Sequence, residues 1–302
     1  MGYLRRLPRF DYLAPRSIDE ACDLLAAHGR NAGLLAGGTD LLLQMRRREA
    51  TPPYVIGLKN VAELVGVRVQ PDGGLVIGAM TTLQMLLTSP IVRRNFALLS
   101  ETAALIGGPE LRHVATVGGN VAGALPCADF PPALMTLGAK LRLRSRQGER
   151  MIAIEEFYPE FGKTTADVHE FLTEIILPPP PPSSGGAYLK FHDRQSMDMT
   201  TVGVSASVAW DENRSVFREV KIALASSAPV TMRARRAESA LSGQPLSEEA
   251  LAQAATLACE ESAPRSSWRA TRDFRLQLVS ALTKRAVRRA WEKATSTQGA
   301  RS

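Results

Sequence analysis

Two short stretches of this chain combine residues suited to holding an anion: Gly37-Gly38-Thr39 and Gly118-Gly119-Asn120. Adjacent glycines carry no Cβ, so the backbone can approach a ligand closely and turn its N–H groups toward one point. A helix that follows adds the positive end of its dipole. In both stretches the glycines precede a side chain able to hydrogen-bond, and both follow a short apolar segment. A single Gly-Gly pair is ordinary turn chemistry. Two of like make-up point to a diphosphate held between them. Neither is GxGxxG or GxxxxGK(S/T), so the common NAD and ATP folds are not indicated.

Two charged residues stand out beside these turns. Asp129 precedes Pro131-Pro132 at the start of an expected helix. It reads either as an N-cap or as a carboxylate that accepts hydrogen bonds from ligand hydroxyls. Lys190, in Tyr188-Leu-Lys-Phe191, lies on a short apolar strand and is a candidate phosphate contact. No nucleophile–base constellation emerges. The serines lack a GxSxG elbow, and the acid pairs Glu155-Glu156 and Glu248-Glu249 are adjacent rather than facing. The four histidines show no ligand spacing, so no metal site is expected. Cys22, Cys127 and Cys259 are scattered and odd in number, which excludes a disulfide framework and a four-thiolate cluster on this chain.

These residues need elements to position them. Ser17-Ile-Asp-Glu20 is a capping box opening a helix with Ala21, Leu24, Leu25 and His28 on one side and Gly29 at its end. A buried strand over 33–36 and a helix over 41–48 flank the first glycine pair. Asp72-Gly73-Gly74 turns a hairpin between 67–69 and 75–77. Helices are expected over 83–87 and 91–106, the latter ended by Gly107-Gly108-Pro109. The stretch 116–120 reads as a second Gly-rich turn. A helix over 133–137 and a strand pair, 140–144 with 151–154, follow. Five prolines at 178–182 and the run Ser183-Ser184-Gly185-Gly186 read as a linker between domains. Beyond it come strands over 202–210 and 220–224, joined by the turn Asp211-Glu212-Asn213. Helices are expected over 233–241, 248–259 and 273–293, the last with Leu276, Val279, Leu282, Ala286 and Ala290 inward. The residues alone thus give a two-part α/β protein with two anion-cradling turns.

Composition fits this reading. The 302 residues suit two or three domains, and 45% apolar with 22% charged residues is ordinary for a globular chain. No stretch approaches the ~18–20 apolar residues of a membrane span, and the opening residues lack a signal-peptide core, so a cytoplasmic protein is expected. The net charge of +7 is dispersed over helix faces, and aromatic residues, at 6%, do not interleave with it. Nucleic-acid binding is therefore not expected.

Phe10-Asp-Tyr-Leu-Ala-Pro15, Leu34-Leu-Ala-Gly-Gly-Thr-Asp-Leu41, Ile77-Gly-Ala-Met-Thr-Thr82 and Thr116-Val-Gly-Gly-Asn120 followed by Asp129 occur in one order. After the prolines come Lys190–Asp193, Met197-Asp-Met199, Ile222-Ala-Leu224, Ala228-Pro229 and Arg233-Ala-Arg-Arg-Ala237. This ordered set resembles the FAD-binding medium subunit of molybdenum hydroxylases, the group of carbon monoxide dehydrogenase flavoproteins and the flavin domain of xanthine dehydrogenase. The resemblance covers nearly the whole chain. It implies an α+β fold: a vanillyl-alcohol-oxidase-type FAD-binding domain over 1–178, in two α/β subdomains (about 1–57 and 58–178). A linker over 179–186 follows, then a smaller α+β C-terminal domain over 187–295 with an antiparallel sheet and helices, and a tail over 296–302. It also implies the cofactor-binding residues. Leu34, Leu35, Ala36, Gly37, Gly38, Thr39, Asp40 and Leu41 would wrap the pyrophosphate. Thr116, Val117, Gly118, Gly119 and Asn120 would form the second half of the cradle, and Asp129 would bond cofactor hydroxyls. Ile106 and Leu172 would pack near the cofactor, and Lys190 would contact the flavin.

Function follows from the same resemblance. Such a subunit takes electrons from a small subunit with two [2Fe-2S] clusters and passes them from FAD to an external acceptor, while a large molybdopterin subunit hydroxylates the substrate. A dimer of heterotrimers is implied. The alternative is a stand-alone FAD-dependent oxidase or dehydrogenase of the same fold. Cys127 reads as a buried small hydrophobe, and the cysteine-free stretch 151–178 gives no reason to expect a further cluster.

Overall fold

The computed structural model describes residues 6–194, 196–211, 213 and 215–296; residues 1–5, Glu212 of the expected turn and the expected tail beyond Ser296 lie outside the described residues. Strand β1 (Asp11–Leu13) leads through helix α1 (Ile18–His28) to β2 (Ala32–Leu35), and α2 (Leu41–Arg47) leads to β3 (Tyr54–Gly57). The strands form a parallel sheet in the order β1-β3-β2. Ser17 caps α1 by accepting from the Glu20 N–H at 3.1 Å. The Glu20 carboxylate reaches back to the N–H of Arg16, one residue beyond the expected partner. Ala21, Cys22 and Leu25 bury the inner face of α1 against Ile56, Leu58 and Leu64.

The second body begins with the hairpin of β4 (Val67–Val69) and β5 (Leu75–Gly78). Helices α3 (Leu83–Thr88), α4 (Pro90–Asn95), α5 (Ala97–Ala104), α6 (Pro109–Val114), α7 (Val117–Ala122) and α8 (Phe130–Thr136) follow, then β6 (Lys140–Ser145), β7 (Gly148–Ala153) and β8 (Phe171–Leu177). The sheet order is β4-β5-β8-β6-β7, with every neighbouring pair antiparallel. Two local expectations change. The helix expected over 91–106 breaks at Phe96, which leaves helical dihedrals (φ −137°, ψ 49°) with its ring buried in the core. The stretch 116–120 is not a turn. Thr116 is an N-cap and Val117 through Asn120 are helical, because Thr116 Oγ1 accepts from the Gly119 N–H at 3.0 Å.

The third body holds β9 (Ser184–Phe191), β10 (Val202–Asp211), β11 (Val216–Ala225) and β12 (Met232–Arg233) in an antiparallel sheet of order β12-β11-β10-β9. Helices α9 (Arg235–Leu241), α10 (Glu248–Glu261) and α11 (Arg272–Ser296) cover one face. Ser184, Gly185 and Gly186 are strand rather than flexible linker, paired with Ala209, Val208 and Ser207. The physical reason is close packing: a Cβ at Gly185 would collide with the Ala290 carbonyl of α11. On α11, Val279, Leu282, Ala286 and Ala290 are buried as expected, and Arg275, Thr283 and Val287 join them.

The opposite face of this sheet packs on the second body. All residues of α8 are buried, Ala133 packs with Leu98 and Tyr188, and Thr136 Oγ1 meets Ser205 Oγ at 2.9 Å. Helix α8 thus belongs to the core of the second body and carries the sheet of the third on its other side.

Candidate functional site

The first glycine pair joins β2 to α2 and lies against the second body. A Cβ on Gly37 would collide with the Val114 carbonyl and stand 2.9 Å from the Ala115 Cα, so only glycine lets the two backbones meet. Gly38 has φ +75°, the left-handed region. Among the described residues, the N–H groups of Gly37, Gly38 and Thr39 donate to no protein acceptor. Successive free N–H groups around a left-handed residue form an anion-binding concavity. Leu42, Leu43 and Leu111 line an apolar groove that starts at Gly38 and Thr39.

The second glycine pair works differently. The N–H groups of Val117, Gly118, Gly119 and Asn120 are all taken, by Thr81 O, Ala79 O, Thr116 Oγ1 and Thr116 O. They are not available to an anion. Gly118 instead gives room: a Cβ there would stand 2.5 Å from Ala79 O. A Cβ on Gly119 would face Ala36 of the first turn at 3.8 Å. Gly119 therefore stands beside the residue that opens the first turn, with the free donors on that turn and close packing on the second pair.

Asp129 occupies the N-cap position of α8 but makes no side-chain cap bond. The Phe130 N–H is capped by Asn120 Oδ1 at 3.2 Å. The Asp129 carboxylate turns to the third body. Its Oδ1 accepts from the Tyr188 hydroxyl at 2.6 Å and the Thr200 hydroxyl at 2.6 Å, and its Oδ2 accepts from Lys190 Nζ at 3.2 Å. The Lys190 and Asp129 side chains are only 3% and 9% exposed. Burying a carboxylate is costly unless donors surround it, and three do so here. Burial, and the Asp129 charge after it, push the Tyr188 phenol well above its usual value, so it stays a donor.

Cys127 lies two residues before Asp129 and is partly buried. Burial, then the Asp129 charge, push its thiol up, while Arg269 acts in the opposite direction. Arg275 is buried and, among the described residues, bonds only neutral groups, the carbonyls of Thr201 and Ser226 and the Ser267 hydroxyl. Burial, with Arg265 and Arg269 nearby, holds its pKa below the usual arginine range. Arg269 pairs with Asp198 at 3.3 Å and stacks on the exposed ring of Trp268.

The structure thus brings Ala36 to Gly119 and Gly37 to Val114 and Ala115, and separately Asn120, Asp129 and Lys190 together around the start of α8. Leu34 and Leu35 end β2, and Asp40 and Leu41 open α2. The Asp40 Oδ2 would stand 3.8 Å from a Cβ on Gly123, just past α7. Ile106 and Leu172 are buried in one core cluster with Val117 and Val121. Sequence reasoning missed Tyr188 and Thr200. Tyr188 carried a signal, since it lies two residues from Lys190 and shares its face of the strand. Thr200 carried none. Among the described residues no group of acidic, cysteine and histidine side chains could hold a metal ion.

Residues 8–180 match the family model described as the FAD binding domain in molybdopterin dehydrogenase, and residues 187–290 match the CO dehydrogenase flavoprotein C-terminal domain. The chain is similar to the carbon monoxide dehydrogenase medium chain of Hydrogenophaga pseudoflava, 34% identical over 286 residues, 95% of this chain and 98% of that one. It is also similar to a xanthine dehydrogenase FAD-binding subunit of Escherichia coli, 34% identical over 91% of this chain and 94% of the relative. The solved structure of carbon monoxide dehydrogenase from Hydrogenophaga pseudoflava, lacking the Mo-pyranopterin moiety, superposes with a TM-score of 0.92 at 34% identity, covering 95% of this chain and 99% of that chain.

Proposed function

Because the chain belongs to the FAD-binding medium-subunit family of the molybdenum hydroxylases, we propose that it is the FAD-carrying electron-transfer subunit of such a complex. The observation that carries this is the first glycine turn, seated against the backbone that leads into α7. The free N–H groups of Gly37, Gly38 and Thr39 suit a pyrophosphate. Gly37 lets the second body approach at Val114 and Ala115, and Gly119 of that body faces Ala36. Leu34, Leu35, Ala36, Asp40 and Leu41 shape the first wall, and Thr116 and Val117 fix the second. Asp129 and Lys190 offer a carboxylate and an ammonium for the hydroxyls and carbonyls of the cofactor. FAD supplies the redox chemistry, accepting electrons from a donor and releasing them to an acceptor. This chain's residues bind the cofactor, orient it and set the charge around it.

The relatives are named as a medium chain and a subunit, which favours one member of a complex over a stand-alone oxidase. The proposed partners are a large molybdopterin subunit and a small [2Fe-2S] subunit, in a dimer of heterotrimers. No helix among the described residues is long and apolar enough to cross a membrane. Three free cysteines suit a reducing, cytoplasmic setting.

A visible absorption spectrum of the purified chain tests the reading, followed by one of its denatured supernatant. A flavin spectrum that releases free FAD is expected. A colourless protein that stays colourless after incubation with FAD overturns the assignment.

A further inference from the structure

Asp129 sits where an aspartate ordinarily caps a helix, yet it caps nothing. Asn120 takes that duty on the Phe130 N–H. Two hydroxyls from the third body converge on a single oxygen, Oδ1, each at 2.6 Å. Gly203 makes this possible, because a Cβ there would collide with the Tyr188 hydroxyl. Among the described residues the other oxygen meets only Lys190. A carboxylate has about four acceptor positions and an ammonium three donors. Oδ1 is filled, and the remaining capacity of the pair lies on Oδ2 and Nζ.

We propose that Tyr188 and Thr200 are positioning residues of the FAD site: their hydroxyls saturate Asp129 Oδ1 and fix the carboxylate plane, so that Oδ2 and the Lys190 ammonium form the polar pair that meets the cofactor. The inference rests on the FAD reading above. The torsion that spins a carboxylate is soft. Without both hydroxyls, Asp129 turns toward other donors and Lys190 follows it. Since Asp129 belongs to the second body and Tyr188, Lys190 and Thr200 to the third, cofactor affinity also depends on how the two are docked.

The test uses the full chain in four forms: wild type, Tyr188→Phe, Thr200→Val and Thr200→Ser. FAD is titrated into each apoprotein, and the midpoint potential of the bound flavin is measured. Tyr188→Phe and Thr200→Val each raise the FAD Kd about tenfold, a loss of about 1.4 kcal/mol, and each shifts the potential. Thr200→Ser keeps the hydroxyl and behaves as wild type. A Kd and potential equal to wild type in both Tyr188→Phe and Thr200→Val overturn the role, even if both variants melt earlier, because the hydroxyls then only join the bodies. If Tyr188→Phe does not fold, the contrast of Thr200→Val with Thr200→Ser decides. Wild-type chain that takes up no FAD overturns the cofactor assignment and this role together, a result distinct from variants that match an FAD-loaded wild type.

Discussion

A methyl group at Gly37 or Gly118 would meet backbone, whereas at Gly119 it would meet the Thr116 hydroxyl at 3.0 Å and Ala36 at 3.8 Å. Backbone cannot rotate away. Gly37→Ala therefore forces the first and second bodies apart, and Gly118→Ala pushes α7 off Ala79 within the second; each costs about 1–3 kcal/mol as overpacking does, and loses FAD with that stability. Gly119→Ala leaves the melting temperature near wild type. Gly119→Val, reaching farther toward Ala36, lowers FAD content more than stability. Melting curves and flavin stoichiometry on the four variants check this ordering, and an early-melting Gly119→Ala would refute it. Residue identity was legible where chemistry is local: the glycine pairs could be picked out from two positions each. The role of Asp129 was open between cap and ligand, because its partners lie 59, 61 and 71 residues away. The residue that displaces it from capping, Asn120, lies ten residues before the Phe130 N–H it accepts from.

At the scale of elements, periodicity located most helices and strands, and misjudged those where the glycines serve packing. Gly118-Gly119 was read as a turn, but the Thr116 cap and close approach to Ala79 make it helical. Gly185-Gly186 was read as linker, but α11 packs on that strand too closely for a side chain at Gly185. Local sequence shows that the chain can bend at such glycines, and only the tertiary neighbour says whether it does. The loop between β9 and β10 carries a pH-dependent anchor. Asp198 accepts from the N–H groups of Asp193, Arg194 and Met199 and pairs with Arg194 and Arg269. Burial opposes its charge, yet these donors hold its carboxyl down from 3.8 to about 2. A depressed carboxylate stabilises the folded state above its unfolded value and loses that effect as pH falls through the folded one. In urea titrations Asp198→Asn is thus less stable than wild type at pH 7, and the gap narrows between pH 3.8 and about 2. A gap that does not change with pH would mean the carboxylate's charge does not anchor the loop.

At the scale of the whole molecule, the proposed site exists only while three bodies stay docked, and the second and third are joined by polar contacts as well as by α8. Arg233 is the centre of one such junction. Its guanidinium forks onto Glu238, with Nε to Oε1 and Nη2 to Oε2 both at 2.6 Å, and its Nη1 reaches Glu155 Oε1 of the second body at 2.7 Å. Glu238 also accepts from the Ile222 N–H at 2.7 Å, tying α9 to β11. Burial works against the Arg233 charge, but Glu238 and then Glu155 raise its pKa above the usual value. The two carboxylates are not equivalent: the Glu238 side chain is 9% exposed and that of Glu155 is 26% exposed. Arg233→Ala strands Glu238 as an uncompensated buried charge and costs about 3–5 kcal/mol of unfolding free energy. Arg233→Lys keeps the charge but cannot fork, and falls between. Glu155→Gln removes a half-solvated partner and costs about 1 kcal/mol or less. It still weakens the junction between bodies, so it speeds FAD release more than it lowers stability. Urea unfolding and FAD release rates on the three variants separate these effects. If Glu155→Gln were as costly to stability as Arg233→Ala, the cation would be held chiefly by the second body, and Glu238 would be a spectator.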